Sequence, residues 1–454
     1  NFWAMFGTSG SFNTNGNTVI AHAALLNNGG TLNVNGGSLS VTGGIHVGFA
    51  GQNGTMTVSS GTVSTDILNI GSGVNTGSYS QTGGVVTVSG TTTLSNGTMA
   101  MSFGTFNALG GADIGTGAYA VVYTQTGGVF NNTSNNVLLR NATMNISAGA
   151  IDVNGLLVGD ATYPSTVNHS AGSIAVNNNN LEIRIGSVYN CSTTPYVVLR
   201  KDFVNNGTFV PAQSTVEISG SVKQTISGTS ATDFYNLTVD NSFGEVAVES
   251  PVNIRGALNL QSGKILNTQI ITLVTGATST IGNSQSFIQG QLNIQKASAG
   301  ASTLYFPIGV QGDWRPVELT VNHADATSYT YASKVVAESA AAKNWTLPST
   351  VDNVSLMRYW TIHRYATSDL LTQVPSAGLV GNQQITLYYD SNDGVSDAAH
   401  LTICKGTAAT GWVNIGGAGA TAVAGKITST STPEAFTSFS DFTLGNTNGG
   451  ENEL

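Results

Sequence analysis

The sequence is short of charge. Lys, Arg, Asp and Glu together make up 9% of its 454 residues, against about 25% in ordinary soluble proteins. With 15 basic residues scattered along the chain and a net charge of -9, no basic face is available to track a nucleic-acid backbone, which argues against nucleic-acid binding. Cysteine is nearly missing. Cys191 and Cys404 stand far apart in the chain, so neither a disulfide framework nor a cysteine metal site is expected. Both read as small buried hydrophobes. No apolar run reaches the ~18 residues a membrane-spanning helix needs. Helical patterning is absent too, apart from one short turn expected around Ala340 to Lys343. The six histidines (His22, His46, His169, His323, His363 and His400) never fall at metal-ligand spacing. His46 lies in a strand and is expected to face outward.

What fills the gap is glycine, 56 residues of it, with Asn, Ser and Thr where Lys and Glu usually stand. Disordered chains carry high charge and few β-branched residues. Here Val, Ile and Thr recur in register, which predicts an ordered, turn-dense β protein. Gly30-Thr-Leu-Asn-Val, Gly54-Thr-Met-Thr-Val and Gly77-Ser-Tyr-Ser-Gln open successive units. Gly30 to Gly54 is one such step, and Gly61 to Gly84 is another, shorter by a single residue. Gln81-Thr-Gly-Gly-Val returns as Gln125-Thr-Gly-Gly-Val after two steps, and Ala148-Gly-Ala-Ile as Ala171-Gly-Ser-Ile after one. Alternation of polar and apolar residues means half-buried strands, and a fixed period of this size means stacked repeats. The fold class is therefore all-β, a parallel β-helix or β-solenoid with coils of about 22–24 residues. Roughly eleven coils are expected, on the order of 50 to 60 Å of stack.

The organisation reads as an N-terminal strand or cap over residues 1–27, solenoid repeats over 28–195, and a second repeat block over 196–296. Past the small-residue stretch at Ala297 the strands lengthen, the period is lost and four of the five tryptophans appear. Residues 303–445 accordingly predict an antiparallel, immunoglobulin-like β-sandwich, followed by a polar tail over 446–454. The opening Phe2-Trp3-Ala4-Met5-Phe6 is apolar for an exposed start. It reads either as the closing strand of the stack or as a strand offered to a second subunit, which makes Phe2, Trp3, Met5 and Phe6 candidate subunit contacts.

Gly220-Ser-Val-Lys-Gln-Thr-Ile-Ser-Gly228 with Phe234-Tyr-Asn-Leu-Thr-Val239 resembles modules of large secreted proteins from Bacteroidota-type bacteria. So do Tyr305-Phe-Pro-Ile-Gly309, Arg315-Pro-Val-Glu-Leu319, Arg358-Tyr-Trp360 and Phe439-Ser-Asp-Phe-Thr-Leu-Gly445. The N-terminal half is similar to autotransporter-like passenger repeats. The resemblance implies export by the type IX secretion system, removal of a C-terminal sorting domain beginning near Leu454, and an extracellular or cell-surface location. It brings no catalytic residues, because the shared motifs are structural.

A β-helix can host polysaccharide-cleaving sites, which need paired acids. Asp66, Asp113, Asp152 and Asp160 fall in different coils without a second acid beside them, and resemblance to pectinolytic enzymes would require Asp-Asp, Gly-His-Gly and Arg-x-Lys runs that do not occur. Asp390-Ser-Asn-Asp-Gly-Val-Ser-Asp397 spaces oxygen ligands but lacks the closing glutamate of a calcium loop, so an Asx-bonded turn is expected. No catalytic residue, metal or cofactor is expected. Trp345, Trp360 and Trp412 are candidates for stacking on sugar rings, with core packing the competing expectation for the last two. The reading is a non-enzymatic extracellular structural protein, a surface adhesin stalk or the subunit of a self-associating filament, sheath or surface layer. Its rival is a polysaccharide- or cell-surface-glycan-binding module or a degenerate β-helix lyase.

Overall fold

The structure is a computed structural model, and it describes residues 3–6, 10–26, 29–366, 370–381, 383–430 and 438–454. Strands take 61% of the chain, and a β-solenoid of about 14 turns is followed by antiparallel sheets. The chain forms two compact units, Asn1–Leu237 and Thr238–Leu454.

In the first unit each coil lies in parallel register on the next. Thr31–Asn33 pairs with Thr55–Thr57, which pairs with Ser78–Ser80, and these with Thr98–Ala100, Val122–Thr124, Thr143–Asn145, Thr166–Asn168 and Val188–Asn190. The middle residue of every triplet points inward. Leu32, Met56, Tyr79, Met99, Tyr123, Met144, Val167 and Tyr189 make one buried column, each side chain contributing roughly 1.5–3 kcal/mol by leaving water. Their neighbours on either side, mostly Thr, Ser and Asn, face outward. Because side chains alternate with period two, this register sets the face of each residue along the run.

The expected eleven coils fall short of the observed count for two reasons. Residues 11–26 already form coil, with Ser11–Asn13 pairing Thr31–Asn33 and Thr18–Leu26 pairing the next strand. Coils also shrink: Gly77 lies against Gly97 and Val188 against Thr208, steps shorter than the one from Gly30 to Gly54.

The stack turns a corner on glycine. Gly37, Gly61, Gly84, Gly104, Gly128, Gly149 and Gly172 lie one above another, all at positive φ. A Cβ on Gly61 would stand 2.5 Å from the Gly37 carbonyl oxygen, and one on Gly128 2.7 Å from that of Gly104. Any side chain would push the coils apart, so the glycine period seen in the sequence is the period of this corner. Beside it, Gln81 and Gln125 turn inward and are fully buried. Gln125 Nε2 donates to the carbonyls of Gly128 (3.1 Å) and Ala150 (3.0 Å), while its Oε1 accepts from Tyr123 Oη at 2.7 Å. Gln81 repeats this with Gly84, Thr105 and Tyr79. Outside, asparagines pair between coils: Asn33 donates to Asn13 at 2.8 Å, Asn131 to Asn107 and Asn168 to Asn145 at 2.9 Å.

In the second unit the parallel pairing continues through Val252–Ile254, Ile271–Leu273 and Leu292–Lys296. Leu292–Lys296 is the changeover, parallel to Ile271–Leu273 on one edge and antiparallel to Tyr329–Val336 on the other. From there the sheet proceeds antiparallel through Tyr359–Ala366, Asp441–Thr447, Leu401–Thr407 and Gly411–Asn414. A second antiparallel sheet holds Gly300–Phe306, Val317–His323, Gln384–Tyr389 and Gly425–Thr428. The two sheets meet where His323 Nε2 lies 2.7 Å from Tyr331 Oη, and Trp360 Nε1 donates at 3.1 Å to the carbonyl of Arg315, just ahead of the strand Val317–His323.

Candidate functional site

The tryptophans sort by exposure. Trp360, read as a candidate sugar platform, has no exposed surface; its indole is spent on the Arg315 carbonyl, so its role is core packing. Trp412 is 3% exposed and Trp345 half-buried, and the two rings pack together with centroids 4.9 Å apart and planes at 47°. The fold brings this pair together from two elements. The predicted helical turn is a single 3-10 turn, Ala341–Lys343, closed by Asn344 in the left-handed region, which redirects the chain so that Trp345 lies over the strand Gly411–Asn414. Trp412 N then donates to the Thr346 carbonyl at 2.8 Å. Opposite them is Gly406, where a Cβ would come within 2.6 Å of Trp412 and 2.9 Å of Trp345.

Trp345 and Trp412 line a cavity of 390 Å³ whose other walls include Leu347, Leu356 and Leu454 and whose polar members are Asp352, Asn353, Asn452 and Glu453. Beneath it lies a cluster of Ala340, Val351, Val354, Tyr359 and Cys404. Lys343 Nζ stands 4.8 Å from the Trp345 ring centre and 4.0 Å from that of Tyr359. Burial is the largest single influence on this ammonium and works to lower its pKa. The ion pair with Asp441 at 2.9 Å and the Tyr359 hydroxyl together outweigh burial and raise it. The Trp412 indole N–H is enclosed and has no acceptor among the described residues.

Sequence reasoning missed a second constellation. Arg315, 1% exposed, and Arg358 are held among Asp313, Asp390 and Asp393. Arg315 Nε lies 2.7 Å from Asp393 Oδ2, Arg358 Nε 2.8 Å from Asp393 Oδ1, and Arg358 Nη2 2.7 Å from Asp313. Burial pushes the Asp393 carboxyl up from its ordinary value against the pull of the two arginines. For Asp313 burial is the largest influence, but both arginines together hold its pKa below the ordinary value. The Asp390 stretch, expected to be an Asx-bonded turn, is a 3-10 turn over Ser391–Asp393 with Asp390 and Asp393 in a reciprocal capping box. Asp390 and Asp393 face the two arginines, while Asp397 at the end of the stretch pairs with His400. The turn itself was readable, but its pairing with the distant Arg315 and Arg358 lay beyond sequence reading. Next to this cluster, Trp314 and Tyr388 pack at 5.5 Å and line a second cavity with Asp390 and Lys426.

The remaining candidates are structural in setting. Cys191 and Cys404 are free and buried, and burial pushes both thiols up to about 12. His169 is enclosed against Tyr189 Oη at 2.9 Å, and burial lowers its pKa to about 4. His46 does face outward, in the column that places its Nδ1 3.1 Å from Asn69. Among the described residues, no group of three or more His, Cys, Asp or Glu could hold a metal ion, and no helix is long and apolar enough to cross a membrane. Of the apolar N-terminal candidates, Phe2 lies outside the described residues. The backbone of Trp3–Phe6 is a strand in parallel register with Ala23–Leu26 of its own chain. No family model, curated protein or solved structure matches the chain.

Proposed function

We propose that the protein is a non-enzymatic structural component of the cell exterior, in which the solenoid serves as a stalk and as the surface for self-association. One observation carries this reading: coil follows coil in parallel pairing, joined by backbone bonds throughout, by a glycine corner from Gly37 to Gly172 and at several steps by Asn–Asn bonds between side chains. Such a stack spreads its stability over many equivalent interfaces. Its outward positions are mostly uncharged Thr, Ser and Asn, so trypsin-like proteases find few cleavable residues. The secreted-protein resemblance of the 196–446 region agrees with an extracellular place of work.

Self-association is assigned to the first coil. The Trp3–Phe6 strand pairs with Ala23–Leu26, and an edge strand of this kind can accept another chain. Sedimentation and electron microscopy of the purified protein test the idea. Fibres or ordered clusters, lost on deleting residues 1–6 with the β circular-dichroism signal unchanged, are expected. A protein that stays monodisperse under all conditions, or assembles equally well without residues 1–6, would overturn it.

A further inference from the structure

We propose that the cavity lined by Trp345 and Trp412 is a binding site for an uncharged sugar residue of a polysaccharide. Three observations converge on it. The cavity, at 390 Å³, falls within the ~300–1,000 Å³ of small-ligand sites, which are mostly apolar with a few placed polar groups. Trp345 is half-buried and held in place by Trp412 behind it and by the Lys343 ammonium, giving a fixed aromatic wall of the kind on which the C–H face of a pyranose packs. Trp412 is 3% exposed, and its indole N–H has no acceptor among the described residues.

That last point is the sharpest. Buried donors in folded proteins are almost always paired, and the unpaired Trp412 indole N–H is enclosed in the cavity wall, so a ligand acceptor reaches it only with a small turn of the ring on binding. A hydroxyl, ring or acetamido oxygen of a sugar supplies one. The polar members Asp352, Asn353 and Glu453 offer acceptors and an amide to the remaining hydroxyls. Two carboxylates in this set disfavour an anionic ligand, which separates neutral polysaccharides from uronic-acid polymers. Gly406 lets both rings pack closely against its strand, since any side chain there would strike them. The stalk reading stands or falls separately, because neither ring belongs to a coil of the solenoid.

The chain has five tryptophans, so ¹⁵N-labelled protein gives at most five indole N–H signals. The test is titration of the full chain with cellotetraose, mannotetraose, chitotetraose and, as the anionic control, tetragalacturonate. The Trp412 signal is identified by its disappearance in Trp412→Phe, which removes the N–H and keeps a ring. At least one neutral tetrasaccharide should shift the Trp412 and Trp345 signals while leaving Trp360 in place. Trp412→Phe should weaken that binding by about tenfold, the equivalent of one hydrogen bond to a buried donor, and Trp345→Ala should abolish it. No shift with any neutral sugar at millimolar concentration overturns the proposal. So does a Trp412 shift that follows protein concentration alone, which would mean a second copy covers the cavity. Should either variant fail to fold, the titration of the unaltered protein still decides.

Discussion

Replacing Gln125 by Met tests how the solenoid tolerates polar groups in its interior. The two side chains are similar in length, so packing is nearly kept while the amide is lost. Gln125 serves three buried partners: the carbonyls of Gly128 and Ala150, and the Tyr123 hydroxyl. Tyr123 retains a weak alternative, since its hydroxyl also lies 3.5 Å from Met101 Sδ. The two carbonyls lose the amide donor. At about 1–3 kcal/mol for each of the two buried carbonyls left without that donor, the substitution should cost about 2–6 kcal/mol. A solenoid need not unfold in one step, so the measurement is hydrogen exchange by mass spectrometry. Peptides covering residues 121–153 should lose protection, and coils several steps away should change little. Thr124→Ala, on the outward face of the same strand, is the control and should stay within about 0.5 kcal/mol. If Gln125→Met exchanged no faster than Thr124→Ala, the glutamine would not be supporting the glycine corner, and the reasoning would fail.

Three further outcomes follow from the same structure. Gly128→Ala places a Cβ 2.7 Å from the Gly104 carbonyl at a backbone φ of +72°; it should destabilise the stack by at least the roughly 1–2 kcal/mol of left-handed strain, read as a lower denaturation midpoint. Arg358→Met leaves Asp393 buried with half of its positive partners, and should cost about 3–5 kcal/mol in the second unit, restored in part by Asp393→Asn in the same chain. Acid should loosen the solenoid at His169. Its pKa falls from 6.5 to about 4 on folding, so below pH 6.5 the unfolded chain takes up a proton that the native one refuses. The stability is intact above pH 6.5 and is lost as pH falls toward 4, by up to about 3 kcal/mol. His169→Gln should flatten that slope in a denaturation series from pH 7 to 4; an unchanged slope would remove His169 as its source.

The solenoid was legible because its constraint repeats. A corner at which any Cβ strikes the coil below must be glycine every time, so Gly37, Gly61 and Gly84 display the fold in one dimension. Inward Leu32, Met56 and Tyr79 likewise show it through alternation. Coil number was harder to read, since the shortened step from Gly77 to Gly97 and the coil already formed by residues 11–26 carry no distinct signal. The Trp345–Trp412 pair was visible only as two aromatic residues well separated in the chain. Their meeting depends on the left-handed Asn344 and the bare Gly406, features of chain path. Arg315 and Arg358 stood in motifs that resembled a family, but their convergence on Asp393 required sheets whose pairing no local pattern specifies. Trp360 shows the opposite limit: composition marks it as aromatic, and only packing says that it has no free face.

The central claim, that the solenoid is a stalk of stacked coils each coupled only to its neighbours, is tested most directly by pulling the first unit from its two ends in a single-molecule instrument. Its coils should release one or a few at a time. Each should lengthen the chain by about 60–85 Å, the extended span of its residues less the rise of one coil. A ladder of such steps is the predicted result. Release of the whole unit in one event, or lengthening without measurable resistance, would contradict the account.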